Sequence, residues 1–332
     1  MNMSLPQHSI NGIPVSSSAV FGRDITLLGA ENIHSRKLNI GSIYHLGHVG
    51  RRKAELDADS LTMHTFITGT TGSGKSSTVY QIIDGIQKTD SNIKILVIEP
   101  AKGEYKTVLA NRKDIRVYGI NPYITPLLRI NPFRFGRGIH VLEHIDKLTN
   151  IFNVCWPMEA AMPAILKQAI ERAYISSGWD IQRSINKYSD RLFPDFAGVM
   201  AEVEELLDES QYSDRNKGDY KGALCTRLRE LTTGLNGMIF TADDLSDSEL
   251  FDENVIIDLS RVGSPETKAL IMGLMVIRLQ EYRQTSGKIT GGRLSHLTVL
   301  EEAHHLLRKT SQVQTLDGAN VAGKSVEILT NA

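Results

Sequence analysis

The residues with the most definite chemical use lie at positions 63–77, MHTFITGTTGSGKSS. Gly69, Gly74, Lys75 and Ser76 fill every fixed position of G-x-x-x-x-G-K-[ST], a pattern in which a glycine-rich turn lets backbone N–H groups converge on phosphate oxygens. Gly69, Gly72 and Gly74 supply the tight turn. Thr70, Thr71, Ser73 and Ser77 complete the loop as candidate phosphate contacts. Lys75 is suited to the β- and γ-phosphates of a nucleotide, and Ser76 to holding Mg2+ through its hydroxyl. The surroundings agree with this use. The apolar run 63–68 reads as a strand leading into the loop, and Val79, Ile82, Ile83 and Ile86 give helical spacing after it. The start of that helix adds the positive end of its dipole to the same anion site.

Two further places gather carboxylates. Positions 93–99, IKILVIE, form a continuous apolar run of the length of a strand buried on both faces of a parallel sheet. The run stops at Glu99-Pro100-Ala101-Lys102-Gly103-Glu104-Tyr105. Ligands bind at the carboxyl edge of such sheets, so Glu99 and Glu104 are candidates for the nucleotide site; a solvated charged turn is the competing reading. Another strand, at 296–300, runs into EEAHHLL at 301–307. Beside a P-loop, one carboxylate can orient Mg2+ through its water shell and its neighbour can polarise the water that attacks the γ-phosphate. Glu301 and Glu302 suit those roles, while capping of the next helix is the alternative use of two such acids.

The elements that must position these groups follow from pattern. Residues 1–60 read as a lead-in, with a strand candidate at 19–28 and strand material at 38–49, in keeping with a remnant of a β-barrel module. Residues 61–138 hold the P-loop and a third short strand near 115–118. Residues 139–250 turn helical, with apolar spacing at 144–152, 161–175 and 199–207 separated by polar segments 177–190 and 208–221, and read as an insertion. Trp156 and Trp179 fit there as packing anchors. Residues 251–332 return to the α/β core with a buried strand at 254–259. Ser264, Pro265 and Glu266 then give an N-cap, a proline at the first helical position and an acid in the first turn. The helix to about Arg283 is apolar nearly all round, so it must be covered on more than one side.

With 332 residues and 41% hydrophobic content the chain can bury a large core. A net charge of −1 and a pI of about 6.8 give no global basic excess, which does not exclude nucleic acid, because a ring can concentrate positive charge in its pore. Cys155 and Cys225 have no metal-ligand spacing and read as reduced thiols. The most apolar window, 269–279, is too short for a bilayer, and the N-terminus lacks the pattern of a signal peptide. A cytoplasmic protein without a membrane partner is expected.

Taken together, HTFITGTTGSGKSST, ILVIEPAKGEYK, NVIIDLSRVGSPETKALIMGLMVIRLQEYR and LTVLEEAHHLL, in this order and at these intervals, resemble the HerA–FtsK group of motor ATPases and, within it, the HerA-like (DUF87-type) branch. The helical IFNVCWPMEAAMPAILKQAIERAY followed by SSGWD extends the resemblance to roughly 20–332. It implies an α/β fold: a RecA-like P-loop NTPase core with a mainly parallel sheet and a helical insertion. It also implies ATP and Mg2+ as cofactors, a homo-oligomer in the form of a hexameric ring, and movement of double-stranded DNA with a nuclease or other effector protein as partner. Carried over by motif, Lys75 and Ser76 serve phosphate and Mg2+, Glu301 orients the metal, and Glu302 is the catalytic base; His304 is similar to the histidine that follows the acidic pair, with reporting of nucleotide state and a plain helix-surface position as its two readings. Glutamate at 301, where many relatives have aspartate, lengthens the reach by a methylene and favours a water-mediated role. An arginine finger from a neighbouring subunit is expected, with Arg129, Arg134, Arg137 and Arg261 as candidates. The family continues past the last residues here, 327–332, with a sensor strand and a C-terminal segment, so the chain is expected to be the central portion of a longer protein. Two other uses share this core: an ATP-dependent ring scaffold in an anti-phage complex, and a secretion or conjugation pump.

Overall fold

The computed structural model describes residues 9–10, 13–14, 36–45, 47–286 and 292–304. The strand expected at 19–28, and the sequence from 305 onward, lie outside the described residues. The chain divides into two compact units, one of the described residues up to 93 with 292–295, the other of 94–286 with 296–304.

In the first unit, β1 (Ser9–Ile10) pairs antiparallel with β2 (Ile13–Pro14), and β3 (Lys37–His45) with β4 (His48–Asp57). A 3-10 turn (Ala58–Thr62) and α1 (Lys75–Thr89) follow. The helix turns Ile82, Ile83 and Ile86 inward, the face that their spacing predicts. Gly85 brings it against Leu38 of β3, where an added Cβ would lie 3.5 Å from the Leu38 Cβ. Arg36 ties the unit together: its guanidinium reaches Asp59 in the 3-10 turn, Asp90 past the end of α1 (2.8 Å) and the Leu294 carbonyl (3.0 Å). The run 63–68 is not a strand. It leads to the loop without a ladder partner among the described residues, with Met63 70% and Phe66 80% exposed. β3 and β4 satisfy each other, and apolar composition alone cannot make a strand where no neighbour supplies hydrogen bonds.

The second unit contains β5 (Lys94–Glu99), α2 (Tyr105–Val108), β6 (Ile115–Tyr118), α3 (Val141–Cys155) and α4 (Met162–Ser176). The two-residue pair β7 (Trp179–Asp180) and β8 (Ile185–Asn186) comes next, then α5 (Phe196–Glu209), α6 (Asp214–Thr232), α7 (Gly234–Ile239) and α8 (Asp247–Phe251). β9 (Asn254–Asp258), α9 (Pro265–Thr285) and β10 (His296–Leu300) close the unit. Its sheet is parallel throughout, in the order β10-β5-β9-β6. β5 and β9 are the inner strands and carry the buried runs, as strands covered on both faces must.

The helical stretches at 144–152, 161–175 and 199–207 fall within α3, α4 and α5. The polar segment 208–221 is shorter than its composition predicts, because Ser213 caps α6 by accepting from the Asn216 N–H and starts that helix early. Ser264 caps α9 in the same way, accepting from Thr267 with Pro265 in the first turn. α9 is buried nearly all round. α3 covers part of it so closely that a Cβ on Gly273 would stand 2.9 Å from Ile151 Cδ1. His144 of α3 and Glu281 of α9 meet in the interior at 3.0 Å, while the second His144 nitrogen lies 3.0 Å from the Pro132 carbonyl. Trp156 stacks on Phe152, and Trp179 stacks on Phe193 and donates to the Leu192 carbonyl. Both are packing anchors. Cys155 and Cys225 are buried free thiols.

Candidate functional site

The loop at 69–74 owes its shape to glycines. Gly72 (φ 78°) and Gly74 (φ 95°) take left-handed conformations, and Gly74 is the N-cap of α1. At Gly69 a Cβ would overlap the Ser73 hydroxyl. Within the loop the Ser73 N–H donates to the Thr70 carbonyl at 3.2 Å, and the first helical bond runs from the Thr78 N–H to the Gly74 carbonyl. The amides of Gly72, Gly74, Lys75, Ser76 and Ser77 have no acceptor among the described residues. The last three are first-turn donors that a helix cannot satisfy itself. Lys75 Nζ stays at the loop, 3.0 Å from the Gly69 carbonyl and 3.1 Å from that of Thr70. Amides with no acceptor among the described residues, a glycine where a side chain would collide and a local ammonium fit a polyphosphate. Ser76 offers a hydroxyl oxygen, the hard kind of donor that Mg2+ takes; among the described residues no group of three or more His, Cys, Asp or Glu side chains could hold a metal ion. A magnesium ion held by Ser76 would take its other ligands from phosphate and water oxygens.

In the second unit, carboxylates line up at the carboxyl edge of the sheet. Glu99 ends β5 in register with Asp258 at the end of β9. Glu301 follows Leu300, which is paired with Ile98, and its N–H bonds to the Ile98 carbonyl at 3.1 Å. Glu301, Glu99 and Asp258 thus stand level on three adjacent strands.

Each is held differently. Glu99 is buried and accepts from the N–H groups of Glu104 (2.7 Å) and Tyr105 (3.1 Å). Burial pushes its carboxyl above the usual range, against the pull of those two amides, and the charges of Asp258 and Glu301 add to the rise. Burial acts on Asp258 in the same direction but is outweighed there. Lys106 Nζ lies 2.5 Å from one oxygen and the Ser260 N–H 3.0 Å from the other, and the group ends below the usual range. Glu301 is half-buried and accepts from the Tyr105 hydroxyl at 2.5 Å.

Glu302 is exposed and has φ 49°, a conformation that costs a non-glycine residue about 1 kcal/mol or more. His304 Nδ1 lies 3.0 Å from its carboxylate. Glu104 is exposed at the other side of the turn, 3.8 Å from Lys102.

The sequence-predicted residues therefore divide: Gly69 to Ser77 belong to the first unit, and Glu99, Glu104, Glu301, Glu302 and His304 to the second. Sequence reasoning missed Asp258, Tyr105 and Lys106. An acid closing the buried run NVIID was the available signal for Asp258. Among the arginine candidates, Arg129, Arg134 and Arg137 are paired with Asp243, Asp244 and Asp190. Arg261 is exposed just past β9 and forms no ion pair among the described residues.

Residues 44–279 match the family model described as DUF87, helicase HerA, central domain. Over 266 residues the chain is 23% identical to the DNA double-strand break repair helicase HerA of Sulfurisphaera tokodaii, an alignment that covers 79% of this chain and 48% of that protein. The chain thus spans about half the length of this curated relative. The solved structure of VirB4 of Thermoanaerobacter pseudethanolicus aligns with a TM-score of 0.56 at 14% identity, over 79% of this chain and 64% of that one. The likeness is one of fold: an α/β, RecA-like P-loop core with helices around a parallel sheet.

Proposed function

The chain belongs to the HerA central-domain family, and from that premise we propose that it is an ATP-hydrolysing ring motor subunit which moves double-stranded DNA. The observation that carries the reading is the run of unsatisfied amides at the glycine loop, beside the Lys75 ammonium. Gly69 to Ser77 hold the phosphates, Lys75 neutralises charge on the transferred group, and Ser76 holds Mg2+. Glu301 orients the metal through its water shell. Glu302 takes the proton of the attacking water, with His304 beside its carboxylate. Glu99, Glu104 and His304 are the further residues proposed to contact the nucleotide, the last paired with the Glu302 carboxylate. Arg261, exposed and without an ion pair among the described residues, is the arginine supplied to a neighbouring subunit of a hexamer. A nuclease or other effector is the partner, and the cytoplasm the compartment; no described helix is long and apolar enough to cross a membrane.

The test is mass and ATP hydrolysis of the chain with and without duplex DNA, beside Lys75→Ala and Glu302→Gln. The wild type should bind ATP, assemble, and hydrolyse faster with DNA. Lys75→Ala should lose binding, and Glu302→Gln should bind without turnover. A rate unmoved by duplex DNA in an assembled ring would overturn the DNA-motor reading and leave a nucleotide-dependent scaffold.

A further inference from the structure

EPAKGEYK at 99–106 ends a strand and begins a single helical turn. Glu99 holds that turn from below, because its two oxygens accept from the Glu104 and Tyr105 amides. Gly103 (φ 69°) allows the close approach, since a Cβ there would lie 2.9 Å from Ser260 Oγ. The next two residues then reach sideways in opposite directions along the sheet edge. Tyr105 crosses to Glu301 after β10, and Lys106 crosses to Asp258 at the end of β9.

Tyr105 is 1% exposed, so its ring cannot swing with the carboxylate that it touches. The phenol is the donor and the Glu301 oxygen the acceptor. We infer that Tyr105 is a positioning residue for Glu301: it fixes one carboxylate oxygen and with it the orientation of the whole carboxylate. The inference rests on the proposed role of Glu301 in orienting Mg2+. It also gives Glu99 a task distinct from touching nucleotide, that of anchoring the turn which carries the tyrosine. Lys106 serves the same turn from its other side.

Tyr105→Phe keeps the buried ring and removes the hydroxyl. Four quantities are read on the full chain: the unfolding midpoint, the binding of a fluorescent ATP analogue as a function of Mg2+ concentration, and kcat and KM for ATP. The expected result is an unchanged midpoint, an unchanged KM, and a kcat lower by about tenfold, the scale of one hydrogen bond to a charged group. The Mg2+ needed for half-maximal analogue binding should rise severalfold. In a Glu301→Ala background, Tyr105→Phe should move that Mg2+ titration no further, because the two residues act as one unit. A Tyr105→Phe protein equal to wild type in kcat and Mg2+ titration, or one whose effect multiplies with that of Glu301→Ala, would overturn the inference. Failure of the wild type to bind the analogue overturns the nucleotide reading instead. A wild type that binds without turnover leaves the Mg2+ titration to decide.

Discussion

Replacing Lys106 by methionine removes an ammonium and keeps most of its stem, which exposes how the sheet edge tolerates its carboxylates. The Asp258 side chain is 6% exposed and that of Lys106 26%, with 2.5 Å between nitrogen and oxygen. Removing one partner of a buried ion pair costs about 3–5 kcal/mol, because the other charge stays desolvated. Here the Ser260 N–H still serves Asp258 and water reaches the lysine, so the lower end, about 3 kcal/mol, applies. For a unit of this size that corresponds to about 6–12 °C in the unfolding midpoint.

The pH dependence is sharper than the magnitude. In the wild type Asp258 is held below its usual range, so its stabilisation is present above the unfolded value of about 3.9 and is lost as pH falls through the lower folded value. Burial is the largest single influence on Asp258 already; without Lys106 it is no longer outweighed, and the folded value should rise above the unfolded one. The carboxylate then destabilises at neutral pH, and that penalty disappears as pH falls towards about 4. Unfolding of both proteins at pH 7 and pH 4, at equal ionic strength, should show a large gap that narrows in acid. A gap that is absent at pH 7, or equally wide at pH 4, would refute the account of Asp258.

At the loop, Gly69→Ala should weaken nucleotide binding by about tenfold or more, a loss of about 1.4 kcal/mol or more. Its unfolding midpoint should stay near wild type because the loop is exposed. Ser73→Gly in the same chain removes the colliding hydroxyl and should restore part of the affinity, as measured by fluorescent-analogue titration. Burial pushes the Cys155 thiol up to about 12. In a Cys225→Ser background, a thiol reagent at pH 8 should therefore leave the native protein unlabelled and label it on denaturation; fast native labelling would contradict the packing of α3.

Much of the second unit was legible because burial writes itself into composition. The runs at 93–99, 254–259 and 296–300 match β5, β9 and β10 to within a residue at each end; β5 and β9, the inner strands, must be apolar on both faces, and β10, at the edge of the sheet, is half-buried along its length. The start of α9 was equally readable, because Ser264 and Pro265 act locally on the backbone. The run at 63–68 has the same kind of composition but no ladder partner among the described residues, and pairing is not a local property. The glycine loop was legible as a motif, and its free amides gave that motif a physical basis. The contacts of Tyr105 and Lys106 were not, although both residues sit in a stretch already singled out. Their partners lie 196 and 152 positions away, and no spacing rule reaches that far.

That distance has a consequence for synthesis on the ribosome. Ile95 in β5 bonds to Asn254 of β9 across 159 positions, and β10, on the other side of β5, comes later still. At about 5–20 residues per second, roughly 8–30 s pass between the emergence of β5 and that of its first neighbour. Throughout that time KILVIE is an apolar segment with both edges open, the kind that recruits other nascent chains. The helices from α3 to α8 are translated in the interval and can fold on local contacts first. The sheet edge that carries Glu99, Asp258 and Glu301 is therefore among the last features of the unit to exist, and slowing translation should lengthen the exposure of β5 without helping it to pair.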